Sequence, residues 1–422
     1  MDIPKIAIVS GVQGDTRRYR AFHLYEQLRL AGCESFIGHI TQKNVGDWIR
    51  SARILILQRV AWDDYVENLV KTAKMQGAII ISDVDDLIFE PEAIRWVDSP
   101  DFADPIRLRL YRHNLIRNQR TLLESDAVIA STEFLAEQVR QLGKPVWVHR
   151  NGFSLEMMVL SLRAIQYCSK SGKTIIGYAS GTPTHNRDFA LVFPVLEHLL
   201  STNKDLYLHL IGHIVLSGNK ERIVHLPFVP WRRLPDLLAQ FSINLAPLRV
   251  DNPFSQSKSE IKYVEAALVK VPTVASPTQA FCHAIDSGKN GLLAHNESEW
   301  QTALEQLVSD PNLRMRIGEK AYEDVMQRYA PWVRAAEIVR TINQILDFLN
   351  ASIDRLKITH VQMPDIDSYW QYAVPLNQEN RPMLLERGLY SLRYRGVVTL
   401  AGEVWVFLRR LMEPVFPFSP RT

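Results

Sequence analysis

The chain has 422 residues, 46% hydrophobic and 23% charged, which is the composition of a soluble globular protein and too long for one ordinary core. Its formal net charge of +3 gives no global case for nucleic-acid binding, and no nucleic-acid partner is expected. Three scattered cysteines, Cys33, Cys168 and Cys282, make neither a disulfide framework nor a zinc site and fit a reducing cytoplasm.

The opening MDIPKIAIVSG moves straight into a buried-strand pattern, with Asp2 where a secretory signal would carry positive charge, so no signal peptide is expected. No apolar run reaches the roughly 18 residues of a spanning helix. Residues 5–10 read as a strand buried on both faces, followed by a glycine-containing turn and a helix over 19–31. Strands are expected at 54–58, 78–82, 127–131 and 146–149, with helices over 62–75 and 107–124 among them. After a less regular stretch at 155–173 the pattern restarts. Strands at 174–179, 206–211, 243–247 and 272–276 alternate with amphipathic segments at 188–200, 234–241 and 260–269. Helices over 299–308, 311–327 and 332–349 follow.

Such alternation predicts an α/β protein of two Rossmann-like, doubly wound domains, 1–155 and 156–350, facing a cleft. Beyond about 352 the alternation stops, leaving an extension over 351–422. It interleaves Arg387, Arg393, Arg395, Arg409 and Arg410 with Tyr390, Tyr394, Trp405, Phe407 and Phe416. Peripheral binding to anionic lipid, docking on a partner protein, and packing across the two domains as a brace all fit that composition.

Four segments carry candidate chemistry. The first turn, SGVQGDTRRYR, places Gly14 and Arg20 near a helix N-terminus that favours an anion, or is a plain tight turn with surface arginines. SDVDDLIF puts Asp83, Asp85 and Asp86 directly after a buried strand. Carboxylates there bind a cation, do acid/base work or bind an acceptor at the cleft, or cap the next helix. SGTPTHNRDF offers Gly181, Thr182, His185 and Arg187 to a diphosphate, or caps a helix through Thr184 or Asn186. In DNPFSQSKSEIKYVEAALVKVPTVAS, Ser257 and Lys258 stand at a helix start, with Lys258 and Lys262 on one face. Glu265 lies further along that helix and suits the vicinal hydroxyls of a ribose, or a salt-bridged helix face.

The run KYVEAALVKVPTVAS resembles the donor-site signature of the family 4 glycosyltransferases, whose GT-B fold sets two Rossmann-like domains face to face. Glu265, Ala266, Pro272, Val274, Ala275 and Ser276 match it, and Asn151-Gly152 resembles the Asn-Gly that precedes their interdomain crossing. SDVDDLIF and SGTPTHNRDF resemble a bacterial subgroup associated with cell-surface glycans. The resemblance spans roughly residues 5–345. It implies a nucleoside diphosphate sugar donor, no metal or other cofactor, a retaining outcome, and Glu265 as the ribose ligand. Arg187 and Lys258 are the candidates to grip the diphosphate. Asp85 or Asp86 would orient or deprotonate a glycan, lipid or small-molecule acceptor, with Arg20, Asp83 and His113 on the acceptor side. Two positions depart from the signature: Ser257 stands where the family has a second Glu, and Lys270 where it has Gly. A nucleotide-sugar-binding protein without turnover and a sugar-nucleotide epimerase of the same fold are the alternative readings.

Overall fold

The computed structural model describes residues 5–168, 172–214, 216, 221–357, 361–375 and 384–412. Asp2 and Phe416 therefore lie outside the described residues. Two six-stranded sheets, parallel throughout, form the frame. The first comprises β1 (Ile6–Ser10), β2 (Ser35–His39), β3 (Ile54–Gln58), β4 (Ile79–Val84), β5 (Ala127–Ala130) and β6 (Val146–Val148), in the order β2-β1-β3-β4-β5-β6. The second comprises β7 (Thr174–Ser180), β8 (Leu206–Gly212), β9 (Ile223–Leu226), β10 (Ile243–Ala246), β11 (Thr273–Ala275) and β12 (Leu292–Leu293). Its order is β12-β11-β10-β7-β8-β9.

The inner strands are continuous apolar runs because helices cover both faces of each sheet. In β1 and β3 every residue is buried. The strands absent from the predicted elements, β2, β9 and β12, all sit at sheet edges. There pairing on one side tolerates the polar Ser35, His39 and His225 that blur the pattern. Each strand order reverses once, between β1 and β3 and between β7 and β10. In open parallel sheets a ligand crevice opens at such a reversal, beyond the strands' C-terminal ends.

The stretch at 155–173 holds a helix, Leu155–Tyr167, capped by Ser154, whose hydroxyl accepts from Met157 N. Its Leu155, Met157 and Met158 pack with Tyr263, Val264 and Leu268 of the second domain. The chain crosses between domains through His149–Ser154 and crosses back near Tyr329–Pro331. The two crossings touch: a Cβ on Gly152 would sit 2.7 Å from the Tyr329 carbonyl oxygen, and Arg334 donates to the Arg150 carbonyl at 3.0 Å.

That return moves a domain limit. The helix Pro331–Phe348, grouped with the second domain by sequence pattern, buries Ala335, Ile338, Val339, Ile342 and Ile345 against Ile6, Ile8, Leu24 and Leu28 of the first. Its periodicity reports an apolar stripe but not which core the stripe enters. The extension also divides in two. Ile353, Leu356 and Val374 join the first core, while Ile366, Tyr369 and Tyr372 pack on the second, so this portion braces both domains. The last two described helices, Leu384–Tyr394 and Val397–Met412, dock on the first domain. Tyr390 donates to both Asp63 carboxylate oxygens at 3.0 and 3.1 Å, and Arg409 donates to Asp104 at 2.6 Å.

Candidate active site

A cavity of about 240 Å³ lies between the domains, beyond the ends of β1 and β4 on one side and of β7 on the other. On the first-domain side the chain leaves β1 through Gly11, where a Cβ would lie 2.2 Å from the Arg59 carbonyl oxygen, so no other residue fits. A short helical turn, Asp15–Arg17, passes into a π-helical turn, Arg18–Phe22, a local widening often found at functional sites. It carries Arg18 and Tyr19 to the cavity wall. The Arg18 guanidinium lies 4.0 Å from the Tyr19 ring centre and 4.5 Å from that of Trp231.

Asp85 and Asp86 line the same cavity beyond β4. Arg59, in a left-handed backbone conformation with φ 48° just after β3, donates to both carboxylates. From the second domain, Lys258 donates to Asp86 at 2.8 Å. Burial pushes both acids upward, but the environments part from there. At Asp86, Lys258 and Arg59 outweigh burial and hold the carboxyl at about 2. At Asp85, burial and the neighbouring Asp86 charge prevail over Arg59, and its affinity for a proton rises. Two adjacent carboxylates pushed in opposite directions are suited to different tasks.

On the second-domain side, Ala179 and Ser180 end β7, and Gly181 and His185 follow. His185 Nδ1 lies 3.0 Å from Asp188 Oδ2; burial lowers its pKa although Asp188 opposes the shift. The helix Ile261–Leu268 turns Lys262 and Glu265 to the cavity while Tyr263, Val264, Ala267 and Leu268 enter the core. Lys262 donates to the Ala179 carbonyl, tying that helix to the end of β7. Burial depresses its pKa, with Glu265 opposing. Glu265 accepts a hydrogen bond from the Tyr19 hydroxyl across the cleft. Burial raises the Glu265 pKa, although Tyr19, Arg18 and Lys262 pull it down.

The cavity thus brings together Asp85, Asp86, Asn151, Gly181, His185, Lys258, Lys262 and Glu265 of the residues singled out in the sequence. Others lie elsewhere. Arg20 and Asp83, expected on the acceptor side, form a buried pair at 2.5 and 2.9 Å. Arg20 also donates to the His149 carbonyl and to Asn151 Oδ1, so the pair supports the crossing from beneath. Ser257, expected at the donor, is fully buried: its hydroxyl donates to the Phe254 carbonyl and accepts from Leu87 N. Gly14 precedes the lining, which begins at Asp15 and Thr16, and its φ of 76° makes it a turn residue. Thr182 pairs with Thr184 outside the lining. Arg187 is 70% exposed and meets Asp98 at 3.3 Å. His113 sits exposed on the helix Pro105–Glu124. Lys258 and Lys262 do meet at the cavity, but Lys258 precedes the helix rather than sharing its face.

Tyr19, Arg18, Arg59, Ser259 and Trp231 are site or supporting residues that the sequence candidates omitted. Arg59 had a readable signal, being the charge that follows a buried strand's C-terminal end. Tyr19 had none, because only the π-helical turn decides which of three neighbouring basic and aromatic residues faces the cleft.

Residues 194–340 match a family described as glycosyl transferase-like. A D-inositol 3-phosphate glycosyltransferase of Corynebacterium jeikeium (strain K411) is 43% identical over 60 residues, spanning 14% of this chain and 14% of that protein. Among solved structures, HepE of Anabaena in complex with UDP is similar at TM-score 0.55 and 13% identity, covering 81% of this chain and 100% of HepE. HepE has also been solved with UDP-glucose, and with UDP and glucose. Sucrose-phosphate synthase from Thermosynechococcus elongatus matches at TM-score 0.55 and 13% identity, over 82% of this chain and 100% of that one. A glycosyltransferase from Rickettsia africae ESF-5 matches at TM-score 0.56 and 13% identity, over 82% and 99%. At these identities the likeness is one of fold, and that fold is GT-B.

Proposed function

We propose that the protein transfers a glycosyl group from a nucleoside diphosphate sugar to an acceptor hydroxyl. The observation that carries this reading is Glu265, a carboxylate at the cleft with Lys262, Lys258 and His185 close by at the mouth of β7. A ribose offers two hydroxyls to Glu265, and the cationic and amide groups nearby offset the charge that grows on a departing diphosphate. The glycosyl transferase-like match over 194–340 and the UDP complexes of HepE support a nucleotide sugar as donor. With Ser257 turned into the protein, the side facing the sugar falls to Lys258 and Ser259.

Asp85, the more proton-hungry carboxyl, orients the acceptor hydroxyl and takes its proton as the new glycosidic bond forms. Asp86 stays ionised and holds Lys258 across the cleft. By family analogy the outcome is retaining, which requires the acceptor oxygen to attack from the face the diphosphate leaves, and the product belongs to a cell-surface glycan or glycoconjugate made at the cytoplasmic side.

The test pairs two variants in a panel of UDP-, GDP- and dTDP-sugars, reading thermal shift and transfer. Glu265→Ala is expected to lose about tenfold or more in donor affinity, the scale of a hydrogen bond to a charged group. Asp85→Asn should keep the donor-induced shift and lose turnover. An unchanged donor affinity in Glu265→Ala would refute the site.

A further inference from the structure

We infer that the two tail helices, Leu384–Tyr394 and Val397–Met412, dock this protein on an anionic lipid surface. Of the twenty-one large hydrophobic side chains exposed among the described residues, ten fall within 384–408. Leu385 is 67% exposed, Val398 74% and Trp405 44%. The opposite side of the pair is already used. Tyr390 and Arg395 reach Asp63, and Gly402 lies over Ile106 and Leu110 of the helix Pro105–Glu124. The apolar side chains that face outward are therefore not waiting for that contact.

No described helix is long and apolar enough to cross a membrane, so these helices would lie in the interface plane. Their charge selects the occupant. Arg387 and Arg393 are exposed beside the apolar residues, with Arg109 and Arg112 exposed on the helix beneath. Glu403, by contrast, is held by Arg395 and the Ser391 hydroxyl. Exposed positive charge mixed with Trp and Leu matches a surface carrying anionic headgroups. The supporting helix carries Tyr111, which feels the charges of Asp86 and Arg59.

The experiment is flotation of the full chain with vesicles of phosphatidylcholine alone or with roughly 30% phosphatidylglycerol, in low salt and in about 0.5 M salt. Anionic vesicles should retain the protein, neutral ones should not, and high salt should release it. Arg387→Glu with Arg393→Glu should weaken retention by about fivefold or more per arginine. Trp405→Ser with Leu408→Ser should also weaken it. Both variants should keep the wild-type melting curve and nucleotide response, which separates this result from failure of the donor site. Equal retention on neutral and anionic vesicles, or no retention on either, would overturn the proposal without recourse to a variant. So would self-association in sedimentation that disappears with Trp405→Ser, since a second copy would then be the occupant.

Discussion

Glu26 is the most strongly perturbed carboxyl outside the cleft. It is buried on the helix His23–Leu30, accepts a hydrogen bond from Leu155 N at 3.0 Å, and burial pushes its pKa up to about 8. In the unfolded chain the same group titrates near 4.5. Folding therefore favours the protonated acid, and its stabilising contribution is complete below about 4.5 and lost as pH rises toward about 8. Buried His23, His39 and His149, whose pKa burial lowers, pull the other way in any variant, so the Glu26 effect is read as a difference: relative to Glu26→Gln, whose amide oxygen still accepts from Leu155 N, the wild type should lose melting temperature as pH rises through that window. Parallel curves for the two proteins would show that Glu26 does not carry the dependence. Arg59 is another residue whose position costs energy: a left-handed backbone at a non-glycine site persists where surrounding contacts over-determine it, and its fork to Asp85 and Asp86 is such a contact.

The helix Ile261–Leu268 explains a departure that the sequence could only register. Lys270 N donates to the Ala267 carbonyl and Val271 N to that of Ala266, a helix end that turns through a left-handed residue. That residue is Lys270, with φ 59°, where the resembling signature has Gly. Gly318 packs against it so tightly that a Cβ would lie 2.2 Å from the Lys270 carbonyl oxygen. Lys270→Gly should relieve about 1–2 kcal/mol of backbone cost while losing about 0.5–1 to unfolded-chain entropy and up to about 1 from the exposed pair with Glu319. The denaturation midpoint should stay level or rise slightly, whereas Lys270→Val should lower it clearly. Equal losses in both variants would contradict this account. Elements of this kind were legible in the sequence because their patterns are local: VPTVAS announced β11, and KIAIVS announced β1. The edge strands, the π-helical turn at Tyr19 and the inward turn of Ser257 were not. Each is settled by a partner far along the chain, Leu87 in the case of Ser257.

At the scale of the whole molecule, the same division holds. Two Rossmann-like domains follow from alternation alone, but the destination of the helix Pro331–Phe348 and of the tail depends on which core offers them a surface. The crossing is the most exacting contact. Gly152→Ala should destabilise the protein by about 1–3 kcal/mol, the cost of overpacking, because its Cβ would meet the Tyr329 carbonyl. It should also weaken nucleotide-induced stabilisation, since both halves of the cleft are set from here. A wild-type melt and nucleotide response in that variant would show that the contact is slack.

Two backbone connections running side by side have a mechanical meaning. A single tether lets two bodies swing and twist in any direction, but a pair of adjacent tethers acts like the knuckles of a door. Opening by rotation about the line through them strains neither strand, while twisting one domain on the other would pull Gly152 and Tyr329 apart. The groups that face each other across the gap, Tyr19 with Glu265 and Asp86 with Lys258, would then separate and meet again along one repeatable arc.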